Sequence, residues 1–189
     1  MRVIAGKWKG RKLVCPKGQQ VRPTTDRVKE AMFNILGARV DGARVFDLCC
    51  GTGSLGIEAL SRGAAEAVFV DSSGRSLAAA RANLERCGSR PGTWSLIRHD
   101  ALDYMESLSG RGDRPWILVC DPPYDSDLAV GILEARGRWL EDPDFLMAVV
   151  EMGRGHPVAA PDTVALERRR YGKTVLAVVR GLEQGADHE

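Results

Sequence analysis

The tetrapeptide Asp121-Pro122-Pro123-Tyr124 is the part of this chain best equipped for chemistry, and it follows an apolar run from Trp116 to Cys120. An amine attached to a nucleic-acid base is a poor nucleophile, because its lone pair is delocalised into the ring. Two acceptors aimed at its hydrogens, the Asp121 carboxylate and the Pro122 carbonyl, would localise that pair towards an incoming methyl group. Pro123 stiffens the loop, and Tyr124 can stack on the base for ~1–3 kcal/mol. The base has to leave its stack first, so the target is flipped or already unpaired. A sulfonium donor supplies the driving force, which leaves positioning and electrostatics to carry most of the rate. Asp121 need not be a strong base, since the amine proton becomes acidic only as the methyl arrives. A strand merely stopped by two prolines is the plainer alternative, but an acid before them and an aromatic after them make it the weaker one.

A donor site is expected upstream, in Val45-Phe46-Asp47-Leu48-Cys49-Cys50-Gly51-Thr52-Gly53-Ser54-Leu55-Gly56. Its spacing matches GxGxxG, which dinucleotide-binding enzymes also use. The discriminating residue is Asp47, four positions before the first glycine. A carboxylate there repels a pyrophosphate but suits a cationic ligand bearing an amino acid, such as S-adenosylmethionine. Gly51 and Gly53 let the backbone approach that ligand closely. Asp71, with Ser72 after it, closes the second strand and can accept ribose hydroxyls, each charged hydrogen bond being worth about 1.5–3 kcal/mol. Asp100 and Ala101 close the third strand, where Asp100 can take the adenine amine, cap the next helix, or both. His99 reads as a rim residue.

The elements needed to position these residues alternate. Apolar strands are expected at 43–48, 66–70, 94–98, 116–120 and 146–151, with helices at 54–61, 74–87, 101–109 and 127–137; Gly63 and Gly88 fall at helix ends. This is the pattern of βαβ units on a parallel sheet. The end departs from it: 162–168 and 174–180 read as strands joined by a short turn containing Gly172. The expectation is an α/β, Rossmann-like fold with seven strands, one of them antiparallel. Before it, residues 2–5 and 11–15 read as a basic β-hairpin, and Arg22-Pro23-Thr24-Thr25-Asp26 opens a helix over 25–36. The organisation expected is a hairpin extension at 1–23, a methyltransferase domain at 24–182 and a polar tail at 183–189.

Composition narrows the class. The 189 residues carry a formal charge of +2. Residues 1–30 hold nine Lys/Arg against Asp26 and Glu30, a balance of +7, so the remainder is at −5. A basic arm on an acidic body suits a polyanion, and Lys7, Lys9, Arg11, Lys12, Arg22 and Arg27 are its candidate RNA contacts; a solvated tail is the bland alternative. The five cysteines show neither CxxC spacing nor His partners, so neither a metal nor a disulfide framework is expected. No apolar run approaches the ~20 residues of a membrane span, and the charged amino terminus is no signal peptide. A cytoplasmic monomer, away from membranes, is the expectation.

The chain resembles the RsmD family in Arg22-Pro23-Thr24-Thr25-Asp26-Arg27-Val28-Lys29-Glu30, Phe33-Asn34, the loop Gly51 to Gly56, Glu58-Ala59-Leu60-Ser61-Arg62-Gly63 and Asp121-Pro122-Pro123-Tyr124. The likeness runs from Arg2 to about Val179. It implies an S-adenosylmethionine-dependent enzyme that methylates the N2 amine of a guanine in 16S ribosomal RNA, within the small subunit or an assembly intermediate. Asp-Pro-Pro-Tyr is shared with adenine-N6 DNA methyltransferases, the alternative reading, although the chain leaves little room for a separate target-recognition domain. Two departures stand out: Asp71 where relatives commonly carry Glu, and Cys49-Cys50 after Asp47-Leu48.

Overall fold

Thr25 begins the first helix in the computed structural model, which describes residues 1–15, 25–107, 114–123, 127–153 and 166–181. Its hydroxyl accepts the Val28 N–H at 3.3 Å, and helix α1 (Asp26–Leu36) follows with Met32, Phe33 and Leu36 buried. Then strand and helix alternate: β1 (Arg44–Leu48), α2 (Ser54–Ser61), β2 (Glu66–Asp71), α3 (Gly74–Cys87), β3 (Trp94–Arg98), α4 (Ala101–Ser107) and β4 (Trp116–Cys120). Two short helices, α5 (Leu128–Glu134) and α6 (Gly137–Leu140), lead to β5 (Phe145–Gly153), and β6 (Leu166–Tyr171) with β7 (Thr174–Arg180) completes the set.

The strands form one seven-stranded sheet in the order β3-β2-β1-β4-β5-β7-β6. All are parallel except β7, which lies antiparallel between β5 and β6. The expected mostly parallel sheet with one antiparallel strand is therefore present. Each face is covered, which is why β4 is buried at all five positions and reads as an unbroken apolar run. On one face α1, α2 and α3 enclose Val45, Phe69, Val119 and Val149; on the other, α4, α5 and α6 pack with Phe46, Leu118, Val150 and Ala177.

Three boundaries differ from expectation. Residues 2–5 and 11–15 do fold back antiparallel, with a bridge between Arg2 and Lys12 flanked by Val3 N–H to Arg11 O at 2.9 Å and Leu13 N–H to Met1 O at 3.2 Å, but the pairing stops short of two full strands. Other partners take the backbone: Glu58 accepts the N–H groups of Ile4 and Ala5 at 2.7 and 2.9 Å, and Asn83 accepts that of Val14 at 2.8 Å. The segment is thus fastened to α2 and α3, and Val3, Trp8 and Leu13 join the main core. The sixth strand, described from Leu166, runs on to Tyr171 rather than stopping at 168, because an outermost strand tolerates the charged run Arg168-Arg169-Arg170 that obscures it in the sequence; its turn is Gly172-Lys173, with Gly172 at φ 62°. The helix expected at 127–137 ends at Glu134, with α6 after it. Residues 162–165, the end of the helix expected to 109 and the tail 183–189 lie outside the described residues.

Candidate active site

The sheet changes direction of winding between β1 and β4, and ligands of such sheets bind beyond the carboxyl ends of the strands at that point. There three adjacent strands end in or next to a carboxylate: Asp47 is the penultimate residue of β1, Asp71 the last of β2, and Asp121 follows β4.

Asp47 is 1% exposed, and its Oδ2 accepts the Gly56 N–H at 2.8 Å. It is not at the mouth of the glycine loop but behind it, tying the first turn of α2 to β1. Burial pushes its pKa well up; the Gly56 N–H opposes this, and the neighbouring Asp121 and Asp71 charges raise it further. Such a group gains from a cationic ligand.

The loop over it is tightly wound. Gly53 donates to Cys50 O at 2.7 Å, and Cys49 holds φ 57°, the one positive value outside glycine among the described residues. Gly51 has φ 53°, and a Cβ built on it would meet nothing nearer than Cys49 O at 4.0 Å. The space above Gly51 is therefore open, whereas a Cβ on Gly53 would come within 3.1 Å of Ala80. One glycine leaves room for a ligand and the other lets α3 pack against the loop.

Asp71 braces this loop from the side. Its Oδ2 accepts the Gly51 N–H at 2.9 Å and its Oδ1 the Ser73 N–H at 2.8 Å. Each oxygen keeps a second lone pair for a ligand hydroxyl. Ser72 is exposed and donates nothing in these contacts, while its carbonyl accepts from Arg98. Asp100 caps α4, its Oδ1 accepting Leu102 N–H at 2.8 Å and Asp103 N–H at 3.2 Å; Ala101 is buried below it. Asp121 is half-buried and Pro122 buried. Tyr124 and Arg22 lie outside the described residues.

The basic candidates do not all gather here. The Lys7 N–H donates to Ser61 O at 2.8 Å and Arg11 Nη1 to Arg86 O at 2.7 Å, which puts them beside the last turns of α2 and α3, at the opposite end from the glycine loop. Lys9 and Lys12 are exposed on the same segment, and Arg27 is exposed on the first turn of α1. Lys29, counted with the basic arm above, is withdrawn from the surface: its side chain is fully buried, 3.4 Å from Glu58. Sequence reasoning missed Glu58 and Asn83, which organise this region. The signal was present for Glu58, the sole charged residue in an otherwise buried helix.

Sheet order, glycine loop and strand-end carboxylates together define the fold of the Rossmann-like S-adenosylmethionine-dependent methyltransferases. The chain belongs to the family described as conserved hypothetical protein 95, whose model matches residues 1–180, and its likeness to the RsmD family is borne out. It is 33% identical over 178 residues to ribosomal RNA small subunit methyltransferase D of Escherichia coli K12, covering 93% of this chain and 86% of that one. It is 34% identical over 182 residues to YlbH of Bacillus subtilis, covering 95% and 98%. A solved structure of yhhF from E. coli matches with a TM-score of 0.74 and 28% identity, covering 97% of this chain and 99% of that one.

Proposed function

We propose that this protein transfers the methyl group of S-adenosylmethionine to the exocyclic N2 amine of a guanine in 16S ribosomal RNA. The observation that carries the reading is the row of Asp71, Asp47 and Asp121 across adjacent strand ends, with the open side of Gly51 above it. Membership of a family that includes a small-subunit ribosomal RNA methyltransferase supplies the polymer.

In this reading Gly51 and Gly53 line the donor through their backbone, and Asp47 balances its positive charge from below the loop. Asp71 and Ser72 take the ribose hydroxyls; Asp100 and Ala101 take the adenine. S-adenosylmethionine supplies, when bound, an electrophilic methyl on a sulfonium that leaves as a neutral thioether. Asp121 and the Pro122 carbonyl accept the two amine hydrogens and direct the lone pair at the methyl. As the N–C bond forms and the methyl–sulfur bond breaks, the amine acquires positive charge, and its acidified proton passes to the Asp121 carboxylate and then to solvent. Tyr124 stacks on the base, and Lys7, Lys9, Arg11, Lys12, Arg22 and Arg27 hold RNA phosphates. The protein acts as a monomer on the small subunit or an assembly intermediate.

The test is purified protein, labelled S-adenosylmethionine, and small ribosomal subunits from a strain lacking the enzyme. Label recovered as N2-methylguanosine in 16S RNA is the expected result. Label in duplex DNA as N6-methyladenine, with none in ribosomal RNA, would overturn the reading in favour of a DNA enzyme.

A further inference from the structure

Strand β6 carries three consecutive arginines, and the register of the sheet sets them at the height of the catalytic loop. Cys120 pairs with Val150, Val150 with Ala177, and Ala177 with Arg168. Two residues further along, past the last β4–β5 pair, Met152 pairs with Val175 and Val175 with Arg170. Three strand spacings separate β6 from β4, about 14 Å at ~4.8 Å each.

Alternation divides the arginines between faces. Arg169 shares its face with Glu167, whose carboxylate takes Arg169 at 2.6 Å and Arg180 at 3.3 Å. On that face Glu167 is shared by two guanidiniums. Arg168 and Arg170 are exposed on the other face, two residues apart and at the site end of the molecule. An outermost strand needs some charge to resist pairing with another sheet, but Lys or Glu would serve as well. A guanidinium adds a planar fork matched to phosphate oxygens. Position favours them too: Lys7 and Arg11 lie beside the far ends of α2 and α3, away from the strand ends at which a base would enter between Gly51 and Asp121.

We propose that Arg168 and Arg170 hold the phosphate backbone of the RNA strand flanking the target base, fixing the register in which that base reaches Asp121. This rests on the ribosomal RNA reading above. The hairpin basic residues would then grip a more distant part of the same RNA, and β6 would position the reactive segment.

The test measures binding to a 16S RNA transcript and to small subunits across a salt series, with methylation read separately. Arg168→Gln with Arg170→Gln should weaken binding and lower the salt slope by about 1.5, at roughly 0.7–0.9 for each lost phosphate. It should also raise KM for RNA while leaving S-adenosylmethionine affinity unchanged. Arg168→Lys with Arg170→Lys should restore the slope, which a general loss of folding could not do. Arg169→Gln, on the opposite face, should change neither. An unchanged slope and KM in the double Gln variant would overturn the proposal while the parent still methylates RNA. Loss of binding to subunits but not to free transcript would overturn it in favour of a protein contact. If the parent binds RNA yet leaves its guanines unmodified, the functional reading fails, and the salt slopes still decide the role of the arginines.

Discussion

Lys29 Nζ lies 3.4 Å from Glu58 Oε2, and neither side chain is exposed to solvent. Lys29 also donates to Arg2 O at 2.6 Å and Ser54 Oγ at 3.1 Å, while Glu58 accepts Arg62 Nε at 2.8 Å as well as the Ile4 and Ala5 N–H groups. One buried pair thus links α1, α2 and the amino-terminal segment next to the glycine loop.

Replacing Glu58 with Gln removes the charge that Lys29 faces and should cost about 3–5 kcal/mol in urea unfolding. Burial already lowers the Lys29 pKa against the pull of Glu58. Without Glu58 it should fall further, so the deficit should shrink as pH rises and the ammonium sheds its proton. A pH-independent deficit would assign the loss to the backbone hydrogen bonds instead.

Asp121→Ala should abolish methyl transfer, by at least about 100-fold, and leave S-adenosylmethionine affinity near that of the parent. Calorimetry and single-turnover transfer separate the two. Parallel loss of both would assign Asp121 to the donor rather than to the amine.

Asp47→Asn should make the unliganded protein more stable at neutral pH. A carboxyl whose folded pKa is raised stabilises most below its unfolded value of about 3.9 and loses that contribution as pH rises through the folded value. Asparagine keeps an acceptor for Gly56 and carries no such loss, so the gap in melting temperature should open between pH 4 and 8. The same variant should bind S-adenosylmethionine more weakly. Equal melting temperatures at pH 8 would mean that the Asp47 charge is already compensated without a ligand.

Gly56→Ala should destabilise by roughly 1–3 kcal/mol, since its Cβ would lie 2.3 Å from the Phe69 ring. The displaced helix would also pull the Gly56 N–H from Asp47, so S-adenosylmethionine affinity should fall with stability. Thermal melts and calorimetry read both, and an unchanged affinity would free the loop from dependence on this contact.

Neutralising Lys7, Lys9, Arg11 and Lys12 together should weaken small-subunit binding and reduce its salt dependence, by about 0.7–0.9 in slope for each phosphate lost. Single-turnover transfer on bound substrate should change little, because these residues lie away from the strand-end carboxylates. An unchanged slope would leave the segment with a purely structural role.

Much of this was legible in the sequence where local pattern and tertiary environment agree. The strand-end aspartates follow short apolar runs, so the positions of Asp47, Asp71 and Asp121 could be inferred from alternation and turn residues alone. Lys29 and Glu58 were not legible as a pair, because they are 29 positions apart and Lys29 looks like an ordinary helix-surface charge, although Glu58 stands out as the one charge in an apolar helix. The amino-terminal segment was legible in part: its antiparallel turn-back is present around Arg2 and Lys12, but its attachment to Glu58 and Asn83, which accept the outward-facing N–H groups of Ile4 and Val14, leaves no local signal. The far end of β6 was cut short because Arg168, Arg169 and Arg170 break the apolar signature that buried strands show.

The position of β7 sets the order in which the molecule can be completed. Residues Thr174–Arg180, the last strand to be synthesised, fill the gap between β5 and β6 and pair with Met147 to Gly153 along seven positions. Until Thr174–Arg180 has emerged from the ribosome, the long edge of β5, next to β4, has unpaired backbone donors and acceptors and can recruit other nascent chains. A chain cut after Tyr171 would therefore be prone to aggregation as well as inactive, because the strand that protects the β5 edge is the one it lacks.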